Sequence, residues 1–184
     1  MAVASSDAHR LSREEYERLV SAGFFPPGAR IELIEGVLYD MPPQDSPHVT
    51  GLHLALAALR TVFPTSYIRI QSPLAVDDSS EPEPDLAVVP GSIRDYQDDH
   101  PTTALLVVEI ADSSLSHDRQ RKIPLYARAG IPEAWILNTR RKELEVYRNP
   151  VDGEYRSRTL LRISDSVSPL DRPDIAIPVA DLFP

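Results

Sequence analysis

Two carboxylates stand where the chain otherwise offers apolar side chains. Asp85 follows Pro84 and immediately precedes the run Leu86-Ala87-Val88-Val89, and Glu109 falls near the C-terminal end of the apolar run from Ala104 to Ile110. A charge inside such a run is costly unless it is paired or bound to a metal. If the two runs are neighbouring strands, both carboxylates converge on one rim of a sheet. Paired hard oxygen ligands suit Mg²⁺ or Mn²⁺. An ion held there can polarise a phosphoryl oxygen and lower the pKa of a bound water. Hydrolysis also needs a cation or base beside the attacking water. Lys122, on the helix expected after the Glu109 run, is placed to lean back over the rim.

Each residue also has an ordinary reading. Asp85 can be a turn or strand-cap acid, and Glu109 an edge residue reaching solvent. Lys122 can be a solvated helix residue, paired with Asp118 four positions earlier. His48 either opens a helix and satisfies a backbone carbonyl, or sits at the mouth of a pocket, where a ring that titrates near neutrality can move a proton. Glu32 and Glu35 flank a hairpin, and strand alternation points them to opposite faces. One faces solvent and the other can enter the rim with Asp85; the residue pattern leaves both assignments open. His53 reads as surface, and His9, His100 and His117 have no evident partner. No histidine pair has the spacing and companion glutamate of a zinc-protease helix.

The elements that must position these groups follow from local signals. Ser12 with Glu15 is a capping box, which predicts a helix from Arg13 to Val20. Ile31–Ile34 and Val37–Met41 flank Glu35-Gly36, the signature of a tight hairpin. Leu52, Ala55, Leu56, Leu59 and Phe63 form one stripe of a helix from His48 to Phe63. Strands are expected at Tyr67–Gln71, Leu86–Val89, Ala104–Ile110, Ala134–Leu137, Leu144–Tyr147 and Tyr155–Ile163. A helix capped by Ser116 is expected to reach Ala129, with Gly130 as its stop. Pro124 lies inside it and should kink it, or divide it into two shorter pieces, at about 3 kcal/mol in an ordinary helix interior. The order predicts a mixed α/β fold, a central mixed sheet flanked by helices. One domain over 1–184 is expected, with residues 1–10 a flexible tail and 165–184 an irregular segment.

The bulk composition of the 184 residues narrows the chemistry. Cysteine is absent, which excludes disulfides, thiolate metal sites and cysteine nucleophiles and fits a reducing, cytoplasmic compartment. No apolar run is long enough to span a bilayer, so no membrane role is expected. The net charge of -9 opposes tight metal-free nucleic-acid binding, which draws on basic surfaces. Basic residues do gather at Arg119, Arg121, Lys122 and Arg128, and again at Arg140, Arg141 and Lys142.

Taken together these residues resemble the Uma2-like family, within the PD-(D/E)XK nuclease superfamily. The resemblance starts at Leu11-Ser12-Arg13-Glu14-Glu15-Tyr16 and passes through Glu32-Leu33-Ile34-Glu35-Gly36 and His48. It continues with Glu83-Pro84-Asp85-Leu86-Ala87-Val88-Val89, Val107-Val108-Glu109-Ile110-Ala111-Asp112-Ser113-Ser114, then Asp118, Lys122 and Tyr126. Its last motif is Ala129-Gly130-Ile131-Pro132-Glu133-Ala134-Trp135, and the resemblance covers about residues 11–165. It implies a restriction-endonuclease-like fold, with Asp85 and Glu109 as the acids of the two half-motifs. The superfamily's usual lysine, two residues after the second acid, falls at Ala111; the resemblance offers Lys122 in its place. It further implies that Asp85, Glu109 and the Ile110 carbonyl hold Mg²⁺ or Mn²⁺, that Glu32 and His48 complete the site, and that Asp118 orients Lys122. The activity implied is endonucleolytic hydrolysis of DNA, by a homodimer if both strands are cut. Two other functions fit: a catalytically inactive interaction protein on the nuclease scaffold, favoured by the negative charge and Ala111, and a metal-dependent phosphodiesterase acting on RNA or a smaller substrate.

Overall fold

The computed structural model describes residues 8–184. Residues 1–7, most of the stretch read as a loose tail, lie outside the described residues. Where the description begins, the chain is tied down: Arg10 donates to the Glu35 carbonyl at 2.6 Å. The capping box forms as read, with Ser12 starting α1 (Arg13–Ser21). The hairpin follows, β1 (Ile31–Ile34) and β2 (Val37–Asp40). Its turn places both Glu35 and Gly36 at positive φ, 51° and 76°. A Cβ on Gly36 would stand 2.5 Å from that of Arg10, so the turn and the close approach both require glycine.

The second helix, α2 (Ser46–Val62), begins two residues before the expected start, because the Asp45 side chain caps it by accepting from the His48 N–H. Then come β3 (Tyr67–Ile70), β4 (Leu86–Val89) and β5 (Leu106–Ala111), a helical crossover, and β6 (Glu133–Asn138), β7 (Glu143–Val151) and β8 (Glu154–Arg162). These six strands form one sheet in the order β3-β4-β5-β6-β7-β8. Only β5 and β6 run parallel; the other neighbours are antiparallel. This is the mixed α/β, restriction-endonuclease-like architecture, a central sheet flanked by helices.

Alternation along the central strands builds a core on each face. Leu86, Val88, Val108 and Ile110 meet the α2 stripe of Leu52, Leu56 and Leu59 on one side. Ala87, Val107, Ala111 and Ile136 meet Ile123 and Tyr126 of the crossover on the other. The C-terminal segment has short elements but is not loose. Its strands β9 (Ser166–Val167) and β10 (Ile177–Pro178) pair, and Val179, Leu182 and Phe183 enter the α2-side core.

The crossover departs from the expectation of one helix capped by Ser116. It begins two residues earlier, with Ser114 before α3 (Leu115–His117), widens into a π turn over Asp118–Lys122, and closes as α4 (Ile123–Arg128). Pro124 is the physical reason. It has no N–H to give, and its ring crowds the carbonyl four residues back. The π turn lengthens the ladder by one residue, so that the Ile123 N–H bonds the Asp118 carbonyl, and Pro124 falls in the first turn of α4, where no N–H is needed. The crossover is thus two short α pieces, α3 and α4, joined by the π turn, in keeping with the division expected at Pro124.

Candidate functional site

Strand register brings the two acids together. The β4–β5 pairing ends at Leu86 opposite Val108, so one further step sets Asp85 opposite Glu109. Directly opposed side chains in an antiparallel pair have Cβ atoms about 4.5–5.5 Å apart. Both acids fall in the alternation class of Ala87, Val107 and Ala111, which faces the crossover. Both are also buried, 6% and 2% exposed.

Three donors hold Asp85. Its Oδ2 accepts from the Ile110 N–H at 2.8 Å, and its Oδ1 from Gln71 Nε2 at 2.9 Å, with His48 Nε2 at 3.1 Å. Burial alone would raise this carboxyl's pKa, but His48, Gln71 and the Ile110 N–H outweigh it and leave the pKa low. His48 responds in the opposite sense. Burial disfavours its charge, yet Asp85 and the Ile110 carbonyl more than compensate and raise its pKa. The Ile110 N–H thus points to the Asp85 side of the strand, while the Ala111 carbonyl turns the other way and accepts from Thr139.

Glu109 sits deeper. Tyr126 donates to its Oε1 at 2.6 Å, and Lys122 Nζ stands 3.4 Å away. Lys122 also lies 3.1 Å from Glu32, which accepts from the Glu83 N–H as well. Asp118 lies across the π turn, its Oδ2 accepting from Ser114 Oγ at 2.7 Å. The buried charges do not balance: Glu32, Asp85, Glu109 and Asp118 face the single ammonium of Lys122. The imbalance has electrostatic consequences. Burial pushes the Glu109 carboxyl well above its ordinary range, with Lys122 pulling it back and Asp118 and Asp85 pushing further. Asp118 is raised for the same leading reason. Burial opposes the charge on Lys122, but Glu109, Glu32 and Asp118 hold its pKa above the usual lysine range. Glu32 also pays for burial, yet Lys122, His117 and the Glu83 N–H bring it below the ordinary range. A cavity of about 80 Å³ opens on Glu32, His48, Asp85, Glu109, Asp118 and Lys122.

The structure brings Glu32, His48, Asp85, Glu109, Asp118 and Lys122 to one cavity, and corrects several details. Glu32 is the hairpin acid that enters the site; Glu35 lies outside, paired with Arg128 and Arg121. Lys122 is not a solvated residue paired with Asp118. It is 4% exposed and its ion pairs go to Glu32 and Glu109, because the π turn aims it inward while Ser114 holds Asp118. His117 does have a partner, Glu32 at 3.3 Å, and its ring packs edge-on to Tyr39. His100 pairs with Arg69 at 3.1 Å. The first basic cluster does not form one face: Arg119 is bound to Glu145, Arg121 and Arg128 to Glu35, and Lys122 is buried.

Sequence reasoning missed Gln71 and gave Tyr126 no role. Tyr126 follows Lys122 by four residues, a spacing that puts both on one helix face and is legible in principle. Gln71 carried no signal of that kind. It lies opposite Asp85 one step past the Ile70–Leu86 pair, with φ of 44°.

Among the described residues, no group of three or more His, Asp or Glu side chains is placed to hold a metal ion between them. The donor set still suits a hard cation. Mg²⁺ keeps several waters and takes one or two carboxylates with substrate oxygens, not a full protein cage. Asp85 and Glu109, opposed across β4 and β5, could supply two such carboxylates, and the Ile110 carbonyl a further oxygen. Among the described residues no helix is long and apolar enough to cross a membrane.

A family model described as "Uma2: Putative restriction endonuclease" matches residues 13–180. A crystal structure described as "a putative nuclease belonging to DUF820", from Anabaena variabilis ATCC 29413, superposes with a TM-score of 0.72 at 15% identity, over 94% of this chain and 97% of that one. At that identity the likeness speaks for the fold alone. No curated protein matches the chain.

Proposed function

The chain belongs to the Uma2 family, and from that premise we propose that it is a divalent-metal-dependent endonuclease hydrolysing DNA phosphodiester bonds at the rim shared by β4 and β5. The observation that carries the reading is the register that opposes Asp85 and Glu109 in a pocket with more buried carboxylates than cations. Asp85, Glu109 and the Ile110 carbonyl would hold Mg²⁺ or Mn²⁺, which when bound supplies Lewis-acid polarisation of the phosphate and an acidified water.

The protein's own groups do the positioning. His48 and Gln71 orient Asp85, and Tyr126 orients Glu109. Lys122 stays charged, so it cannot serve as a base. It can steer water and stabilise negative charge developing on the phosphate, a role that requires only a fixed cation. Glu32 fixes that cation at 3.1 Å, and Asp118 adds negative charge that keeps it protonated. The proposal carries with it a cytoplasmic location and, for cutting both strands of a duplex, a homodimer, which sedimentation of the purified chain tests.

Two observations favour the inactive-scaffold reading: Lys122 already supplies a positive charge beside Glu109, and Ala111 stands at the usual lysine position. Calorimetry with Mn²⁺, beside cleavage of plasmid, single-stranded DNA and RNA, decides between them. Wild type should take up the ion and cut DNA, and Asp85→Ala and Glu109→Ala should do neither. Wild type that neither binds Mn²⁺ or Mg²⁺ nor cuts any nucleic acid overturns the proposal, and cutting of RNA alone replaces it.

A further inference from the structure

The rim that carries Asp85 and Glu109 continues into a basic groove. β6 runs parallel to β5, so its end at Asn138 lies beside Ala111, and the turn Thr139-Arg140-Arg141-Lys142 emerges next to the acidic cavity. The far end of β8 comes to the same rim, since Arg162 pairs with Glu143. Between them lies an open groove of about 520 Å³, lined by Arg140, Arg141, Lys142, Glu143, Arg162 and Ile163. Four of the six are cations. A single ion pair joins the two sites: Asp112, which lines the acidic cavity, accepts from Arg140 Nε and Nη2 at 2.8 and 2.9 Å.

Two of the groove's cations have no acid. In a chain of net charge -9, other arginines are neutralised, Arg119 and Arg158 by Glu145 and Arg148 by Glu133. Among the described residues, neither the Arg141 nor the Arg162 guanidinium has a carboxylate partner, and both side chains are exposed. Free guanidinium forks match phosphate oxygens two at a time. Arg162 is three strands from Glu109. It also lies two residues beyond Leu160, the position level with Glu109; at about 4.8 Å per strand and about 3.4 Å per residue the separation is about 16 Å, the rise of about five base steps.

We infer that the β6–β7 turn and the end of β8 form the phosphate-backbone contact surface for DNA flanking the cleaved bond. This inference rests on the nuclease reading. It gives an acidic protein the local basic surface that nucleic-acid affinity needs. The groove reads charge and spacing, so it is indifferent to base sequence.

The test is fluorescence anisotropy of a labelled duplex across a salt series in Ca²⁺, with cleavage in Mg²⁺ and Mn²⁺ calorimetry alongside. The chains compared are wild type, Arg141→Glu with Arg162→Glu, and Arg141→Lys with Arg162→Lys. Loss of two phosphate contacts should weaken binding at least about tenfold and lower the slope of log affinity against log salt by about two, while Mn²⁺ affinity stays at the wild-type value. The lysine pair should keep the wild-type slope. If the glutamate pair binds duplex with wild-type affinity and slope, the groove is not the contact surface, although wild-type cleavage still upholds the nuclease reading. If wild type binds no nucleic acid at all, the groove inference falls, and Mn²⁺ uptake alone then tells whether the metal site survives.

Discussion

The ammonium of Lys122 lies 3.1 Å from the carboxylate of Glu32, with both side chains almost wholly buried. This contact ties the first hairpin to the crossover and places a fixed positive charge beside Glu109. A buried charge deprived of its partner is expensive, so the two ends of this network should respond differently to neutralisation.

Lys122→Met leaves Glu32, Glu109 and Asp118 facing one another without a cation. We expect a loss of about 3–5 kcal/mol in urea denaturation. Glu109→Gln should cost about 1 kcal/mol or less, since burial already disfavours that carboxylate's charge. A Lys122→Met variant as stable as wild type would show that the ammonium is not what holds these acids together.

Metal should act as a stabilising ligand. At a Mn²⁺ concentration about one hundredfold above Kd, folding should gain about 2.7 kcal/mol. Asp85→Asn should abolish that gain while the metal-free protein still melts cooperatively. A rise in Tm equal in wild type and Asp85→Asn would place the ion elsewhere.

Gln71 offers a test of positioning without removal of a ligand. Its φ of 44° suits glycine, so Gln71→Gly keeps the backbone and deletes the 2.9 Å bond to Asp85. Mn²⁺ affinity should fall about 10–100-fold, as expected for a group that orients a metal ligand. Unchanged affinity by calorimetry would make the glutamine a bystander.

A pH dependence of stability should arise away from the site. Glu81 is buried, and its carboxyl is pushed up from 4.5 to about 7, first by burial and then by the hydrogen bond and charge of Glu17. Its Oε2 has no hydrogen-bond partner among the described residues. The folded state therefore holds this proton more tightly than the unfolded chain does. Stability is greatest below pH 4.5 as far as this group is concerned, and declines as pH rises to about 7. Because Glu17 is partly solvated, the loss should be on the order of 1 kcal/mol. Glu81→Gln should flatten urea-denaturation stability between those limits; a slope identical to wild type would assign the pH dependence to other groups.

Much of the site was legible along the chain because its signals are local. A charge inside an apolar run marks Glu109, and an acid at the mouth of another marks Asp85. The capping box, the Glu35-Gly36 turn and the α2 stripe each depend on residues within a few positions. The partners of those residues were not legible. Glu32 lies on β1 and Glu35 in the turn that follows it, and only the docking of the hairpin against the crossover makes Glu32 the inward one. Lys122 had a plausible neighbour in Asp118 and took two distant ones instead, because Pro124 turns the helix before it into a π turn. Gln71 and His117 had no sequence signal, since each meets its acid only through strand register or the approach of separate elements.

Sequence alone determined the first two helices, the hairpin and the six strands of the central sheet, and marked Asp85 and Glu109 as acids set against apolar runs, for hydrophobic periodicity and turn chemistry act over a few residues. Tertiary structure alone decided which cation serves those acids, which glutamate joins them, and that the basic turn after β6 opens beside them. Those outcomes depend on distances between elements far apart in the chain, and electrostatic energy in a buried site follows distance in space.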